Sequence, residues 1–226
     1  MSKFHISSDE EIKSGKTTDV YFDRTEKILE AGGLTEKKVL AEVTSGSLPK
    51  DWPWAVFTGV DEVATLFEDV PVDVKALPEG TIFRPYDSKG VRVPLLVIEG
   101  SYYEFSTLET PMLGLLCHSS GVSTKAARIR KVAWDKQILA FGIRRMHPAM
   151  APMLDRSAYI GGLDSVSSLA GAKEIGKEPS GTMPHALIIT LGDQVKAWKA
   201  FDEHIPEDVP RIALVDTYSD EKEEAI

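Results

Sequence analysis

Among 226 residues there is a single cysteine, Cys117, so no intrachain disulfide can form. It stands in an apolar stretch, 112–117, where a free thiol is expected to behave as a small buried hydrophobe. Long apolar runs are also missing. Apolar runs such as 94–98 and 112–117 fall far short of the roughly 20 residues that a bilayer-crossing helix needs. The opening Met1-Ser2-Lys3-Phe4-His5 lacks the basic-then-apolar pattern of a secretory leader. These absences predict a soluble, unexported, cytosolic chain with no membrane partner. No internal repeat or low-complexity tract is present, which excludes solenoids. No Walker phosphate loop is present either, and Gly161-Gly162-Leu163-Asp164 is too generic to replace one.

What is there is ordinary in amount, 42% hydrophobic and 27% charged, but uneven in place. The net charge of −9 argues against a nucleic-acid partner bound through broad phosphate neutralisation. Residues 1–113 hold 12 basic and 20 acidic side chains, whereas 114–226 hold 14 and 15. Within the second part, Lys125, Arg128, Arg130, Lys131, Lys136, Arg144, Arg145 and Arg156 face only Asp135 and Asp155. A local basic zone in an acidic protein suits a small phosphorylated ligand. A solvated helix face explains 125–131 equally well.

The first part, 1–113, reads as an α+β domain: helical spacing over 60–67, a Pro78-Glu79-Gly80 turn, and a strand over 91–98 whose Pro94 marks an edge or a bulge. From 114 onward, elements alternate. Helices are expected over 110–116 and 123–133, separated by Ser119-Ser120-Gly121. A strand follows at 138–143, a glycine-bearing strand or turn at 160–164, helices at 167–175 and 193–201, and a buried strand at 211–215. Strand–helix alternation predicts a parallel sheet. An eight-stranded barrel takes about 200 residues or more. The expected class is therefore α/β: an N-terminal α+β domain, then an incomplete, truncated α/β barrel over 114–226. An open sheet of four or so strands is the alternative.

Ligands of parallel α/β folds gather at the C-terminal ends of strands. Arg144 and Arg145 follow one such strand, and a guanidinium matches a carboxylate or phosphate with two parallel hydrogen bonds. Ordinary salt bridges fit them equally. Neighbours on a strand point to opposite faces, so one arginine is expected to face a ligand. His185 follows the loop Gly181-Thr182-Met183-Pro184 and reads as either a ligand-facing imidazole or a structural histidine. Asp216, followed by Thr217, ends a strand and suits ribose hydroxyls, a hydrated Mg²⁺, or a helix cap. Tyr21 and Phe22 read as a short aromatic strand or turn, used for packing.

Several separated stretches together resemble nicotinate phosphoribosyltransferases, most nearly the archaeal-type members. They are Asp19-Val20-Tyr21-Phe22, Glu109-Thr110, Ser123-Thr124-Lys125-Ala126-Ala127, Phe141-Gly142-Ile143-Arg144-Arg145-Met146-His147-Pro148, Asp155-Arg156-Ser157-Ala158-Tyr159-Ile160-Gly161-Gly162, Gly181-Thr182-Met183-Pro184-His185-Ala186 and Leu214-Val215-Asp216-Thr217-Tyr218. The resemblance implies a homodimer with active sites between one subunit's N-terminal domain and the other's barrel. It implies that Tyr21, with Asp19 nearby, stacks on the pyridine ring held by the neighbouring subunit, and that Phe141 supplies the opposing face. Arg144 or Arg145 would take the nicotinate carboxylate and 5-phosphoribosyl 1-pyrophosphate. Lys125, Thr182 and Thr217 join the substrate-binding set, and His185 and Asp216 are the catalytic candidates. His185 falls where ATP-coupled members carry a phosphohistidine. Mg²⁺ is the implied cofactor, with ATP as a second, and no metal-ligand set is implied. Family chains continue through further barrel strands. Two other readings stand beside this one: quinolinate phosphoribosyltransferase, whose substrate bears a second carboxylate, and a non-catalytic fragment retaining a dimer or ligand surface.

Overall fold

The computed structural model describes residues 4–226, and these form two compact units, one ending at Pro179 and the other spanning Ser180–Ile226. In the first unit, α1 (Asp9–Lys13) is opened by a capping box between Ser8 and Glu11. Helix α2 (Val20–Ala31) follows, with Asp19 at its N-cap. Tyr21 and Phe22 therefore lie in a first helical turn, not in a strand or turn. Phe22 is buried and Tyr21 is exposed. Alternation of core and solvent positions then makes β1 (Lys38–Thr44), in which Val39, Ala41 and Val43 pack inward while Leu40 faces out.

The main sheet has the order β1-β5-β3, with β5 (Pro94–Ser101) central and antiparallel to both β1 and β3 (Asp73–Ala76). A central strand containing proline is unusual. Here Pro94 is the first residue of β5 and lies opposite Thr44, where the register shifts, so the bulge reading holds and the edge reading does not. A second small sheet pairs β2 (Ala55–Val56) with β4 (Ile82–Phe83). Helix α3 (Val60–Phe67) occupies the expected span and packs Val63, Leu66 and Phe67 on Phe57, Leu96, Ile98, Phe105, Met112 and Leu116. Leu96 and Ile98 are fully buried, the kind of position where truncation to alanine costs about 2–5 kcal/mol.

After the short α4 (Tyr102–Phe105), one continuous helix, α5 (Glu109–Ala133), replaces the two expected. The Ser119-Ser120-Gly121 step does not break it because the serines work inside it. The Ser120 hydroxyl accepts the Thr58 N–H at 3.0 Å and donates to the Thr58 carbonyl, and Thr124 Oγ1 accepts the Val56 N–H at 2.9 Å. Ser123 donates to the Ser157 carbonyl at 2.7 Å. A hydroxyl stripe thus pairs backbone groups around β2. Cys117 is exposed, contrary to expectation, because the buried face of α5 runs through Met112, Leu116, Ser119 and Ser123.

Next come β6 (Leu139–Ala140), a 3-10 turn at Gly142–Arg145, another at Pro148–Met150, α6 (Ala151–Ile160), β7 (Ser165–Val166) and α7 (Leu169–Glu174). Strands β6 and β7 pair in parallel, Leu139 with Ser165 and Ala140 with Val166, a single β-α-β step. The expected strand at 138–143 is thus shorter and ends at Ala140, and the glycine segment 160–164 is a helix end and turn. Arg130 fixes this geometry: it donates to the Gly162 carbonyl at 2.7 Å and to the Asp164 carboxylate, and that carboxylate also accepts the Ile138 N–H at 2.7 Å.

The second unit contains α8 (His185–Leu191), α9 (Gln194–His204) and α10 (Glu221–Ala225). Its core is Met183, Ile188 and Ala197 with Leu187, Trp198, Phe201 and Leu214. The strand expected at 211–215 does not form among the described residues. No neighbouring strand supplies a ladder, and the Leu214 carbonyl accepts the Trp198 indole N–H at 3.1 Å instead. Arg211 spends its guanidinium on the Asp202 carboxylate and on the carbonyls of Asp202, Ile205, Pro206 and Val209. The fold is mixed α/β with an N-terminal sheet.

Candidate active site

Phe141 directly follows β6, and its backbone leaves the strand to cap the 3-10 turn Gly142–Arg145. Arg144 and Arg145 therefore do not alternate across a strand as expected. Consecutive residues of a 3-10 turn diverge by about 120°, and both arginines are exposed. Neither guanidinium has an ion pair or hydrogen bond among the described residues, so the salt-bridge reading is not met for either. Phe141 is 50% exposed beside them. His147 Nδ1 accepts the Ala149 N–H and caps the next turn.

The end of β7 lies parallel to the end of β6, and there the chain is rigidly braced. Asp155, buried on α6, accepts from the Ser168 hydroxyl and from the Ser168 N–H at 3.3 Å, while Ser168 Oγ accepts the Gly171 N–H at 2.9 Å. A Cβ on Gly171 would come within 2.4 Å of Asp155, so only glycine admits this contact.

A second brace joins α6 to α3. The Arg156 guanidinium contacts Asp61 and, at 2.6 Å, Glu79. Glu79 Oε1 accepts the N–H groups of Gly59 at 2.6 Å and Val60 at 3.1 Å, capping α3 from a distant turn. Gly59 has φ 98°, and a Cβ there would sit 2.8 Å from the Leu115 carbonyl oxygen. Burial pushes the Glu79 carboxyl up, but the Arg156 and backbone hydrogen bonds outweigh it and hold the group below the usual range. Beside it is a cavity of about 270 Å³ lined by Asp61, Glu62, Ser119, Arg156 and Glu174 among others, where burial raises the Glu62 carboxyl despite the attraction of Arg156.

At the start of α2, Thr110 donates to Asp19 Oδ2 at 3.0 Å, accepts the Asp19 N–H at 3.2 Å, and the Tyr21 hydroxyl donates to the same carboxylate at 3.3 Å. Asp19, Tyr21 and Thr110 are thus one cluster, with the Tyr21 ring 55% exposed. Partial desolvation, then the Asp19 carboxylate, raise the Tyr21 phenol, and burial raises Glu109 nearby. Lys125 is placed elsewhere, in a groove of about 680 Å³ with Pro53, Trp54, Arg128, Ile129 and Lys131. Arg128 stacks over Trp52 and Trp54 at 4.3 and 5.3 Å.

In the second unit, His185 begins α8. Its Nδ1 lies 3.2 Å from Thr217 Oγ1 and its Nε2 3.8 Å from Asp216 Oδ1. The three form one cluster, open to solvent at His185 and Asp216. Thr182 is exposed and donates only weakly to the Met183 carbonyl, at 3.4 Å.

Residues 19–120 match the quinolinate phosphoribosyl transferase N-terminal domain model, and residues 122–226 match the corresponding C-terminal domain model. The chain belongs to the quinolinate phosphoribosyltransferase family. A crystal structure of nicotinate-nucleotide pyrophosphorylase from Pyrococcus furiosus is 59% identical and superposes with a TM-score of 0.94 over 100% of this chain and 56% of that one. Human nicotinic acid phosphoribosyltransferase is 26% identical at a TM-score of 0.65, covering 76% of this chain and 40% of that one. The Bacillus subtilis (strain 168) nicotinate phosphoribosyltransferase is 28% identical over 225 residues, 89% of this chain and 45% of that protein. The chain thus spans about half the length of the relatives it matches.

These matches correct the assignment to nicotinate phosphoribosyltransferases, both as family and as activity. Both domain models are those of the quinolinate enzyme, and the 59% identical structure is a nicotinate-nucleotide pyrophosphorylase. The reason is physical: the stretches that carried the resemblance hold basic and aromatic side chains that suit a pyridine acid with either one or two carboxylates, so they do not separate the two families. Sequence reasoning also missed the braces Asp155–Ser168 and Arg156–Glu79 and the carboxylate of Glu224. Asp155 and Arg156 lay inside a quoted stretch, but nothing in sequence joins them to Ser168 or Glu79.

Proposed function

We propose that the chain provides the quinolinate phosphoribosyltransferase activity of NAD biosynthesis. The observation that carries this reading is the pair of exposed arginines, Arg144 and Arg145, without an ion pair among the described residues, that follow exposed Phe141 at the C-terminal end of a parallel strand. An exposed aromatic ring followed in the chain by two exposed arginines suits a flat pyridine bearing two carboxylates, through stacking and bidentate hydrogen bonds. In the reaction the pyridine nitrogen attacks C1 of 5-phosphoribosyl 1-pyrophosphate, and the C1–O bond breaks with its electron pair leaving on pyrophosphate. The 2-carboxylate then departs as CO₂, its bonding pair passing to ring C2, which takes a proton. The cationic ring nitrogen stabilises that pair. Orientation and electrostatics do most of the work.

Tyr21 and Asp19 serve the pyridine pocket of a neighbouring protomer in a homodimer. Their exposure and mutual hydrogen bond fit a ring offered outward. Asp216 and Thr217 take ribose hydroxyls, with His185 beside them. Among the described residues no three His, Cys, Asp or Glu side chains gather as a metal site. Mg²⁺ is commonly held by one or two carboxylates plus substrate phosphates, and the exposed Asp216 carboxylate has that chemistry. Bound there, Mg²⁺ would neutralise the departing pyrophosphate. Lys125 contributes attraction for the anionic donor.

The test is turnover of quinolinate against nicotinate with phosphoribosyl pyrophosphate and Mg²⁺, with and without ATP. Quinolinate should be consumed and ATP should make no difference. Product from nicotinate alone would overturn the reading.

A further inference from the structure

We propose that Glu224 is a positioning residue: its carboxylate holds the loop that presents Asp216 and Thr217 to His185. Glu224 is 9% exposed and its two oxygens receive three successive backbone N–H groups, Thr217 on Oε2 at 2.9 Å, and Tyr218 and Ser219 on Oε1, the latter at 2.6 Å. Three consecutive amides turned onto one carboxylate form a concave anion-binding nest. Capping α10 does not require Glu224, since Asp220 already accepts the N–H groups of Lys222 and Glu223, each at 3.0 Å.

The ends of this arrangement are tied to the elements carrying the cluster. The Glu224 carbonyl accepts from Gln194 Nε2 at 3.0 Å, which anchors α10 to the start of α9. The Tyr218 hydroxyl donates to the Ile188 carbonyl at 3.3 Å on α8, the helix that His185 opens. Thr217 therefore meets Glu224 through its N–H and His185 through its hydroxyl, 3.2 Å away. Burial pushes the Glu224 carboxyl up, but the hydrogen bonds from Thr217, Ser219 and Tyr218 and the nearby His185 outweigh it, so the carboxylate form is favoured. Removing the charge leaves one carbonyl oxygen for three amide donors, so at least one loses its acceptor and the others lose a charge-assisted bond, and the loop that sets the Asp216–Thr217–His185 geometry relaxes.

The catalytic importance of this placement rests on the phosphoribosyl-transfer reading; the placement itself does not. The experiment uses the isotope-labelled 226-residue chain. In the wild type, the Glu224 carboxyl carbon and the amide protons of Thr217, Tyr218 and Ser219 should titrate together, with a midpoint below that of an ordinary glutamate. In Glu224→Gln those amides should exchange with solvent at least about tenfold faster and the His185 imidazole resonances should move. In transfer assays kcat should fall about tenfold or more while KM for the pyridine acid stays within about twofold. Independent titration of the amides, unmoved His185 resonances, or an unchanged kcat in an active enzyme would each overturn the proposal. Should Glu224→Gln fail to fold, the wild-type titration decides alone. A wild type without transfer activity would sink the functional reading, while the resonance measurements would still decide this one.

Discussion

Replacing Glu79 by alanine removes the distant cap of α3 and one of the two carboxylates facing Arg156. The lost cap is worth about 1 kcal/mol. Leaving Arg156, 26% exposed on its side chain, with only the open Asp61 carboxylate adds about 1–3 kcal/mol, below the 3–5 of a fully buried pair. Together these give a loss of roughly 2–4 kcal/mol, or a fall in melting temperature of roughly 4–16 °C for a chain of this size. The pH dependence has a definite sign. Because the folded carboxyl titrates below its unfolded value, its contribution is complete above about pH 5 and is lost as pH falls through the folded value. The gap between wild type and Glu79→Ala should therefore be widest near neutrality and shrink toward pH 3. Glu62, whose carboxyl is raised by burial and in part by the Glu79 charge, pulls the other way, and less so without Glu79, which trims the gap near neutrality but does not reverse its sign. Urea unfolding of both proteins across that range is the assay. A difference under about 0.5 kcal/mol at pH 7, or one that does not shrink on acidification, would refute the reasoning.

Arg144→Ala and Arg145→Ala should each raise KM for the pyridine dicarboxylate by roughly 10- to 100-fold, the worth of a charge-assisted hydrogen bond, with unchanged melting because neither side chain has a partner to lose among the described residues; a clear fall in melting temperature would contradict their placement. Gly171→Ala forces a methyl against Asp155 and should cost about 1–3 kcal/mol in chemical denaturation; full stability would show that the α6–α7 contact yields easily. Tyr21→Ala should leave stability unchanged yet weaken pyridine-acid binding, and mixing it with an Arg144→Ala chain should restore part of the activity if Tyr21 serves a neighbouring protomer. Mixtures no more active than the separate variants would place both residues in one protomer's site.

Elements whose periodicity reports packing were legible in the sequence. Helix α3 shows its apolar face at Val63, Leu66 and Phe67, and α9 declares itself through its Asp193 cap and apolar spacing. Where tertiary partners decide, reading failed. Ser119-Ser120-Gly121 resembles a helix break until β2 is seen to need hydroxyls, and 211–215 resembles a buried strand although no neighbour pairs with it. The candidate site divides in the same way. Arg144 and Arg145 were singled out from their place after a strand and Phe141 through the family resemblance, but the 3-10 turn that exposes both arginines had no signal. Contacts spanning many residues, such as Thr110 with Asp19 or Arg156 with Glu79, have no local signal. Nor does any local motif register whether the pyridine carries one carboxylate or two.

The difference of one carboxylate is also what the most direct measurement reads. Quinolinate labelled in its 2-carboxyl group, incubated with phosphoribosyl pyrophosphate and Mg²⁺, should release labelled CO₂ and pyrophosphate in equal amounts, and only when the phosphoribosyl donor is present. Pyrophosphate release with nicotinate, with no labelled CO₂ from quinolinate under the same conditions, would contradict the assignment.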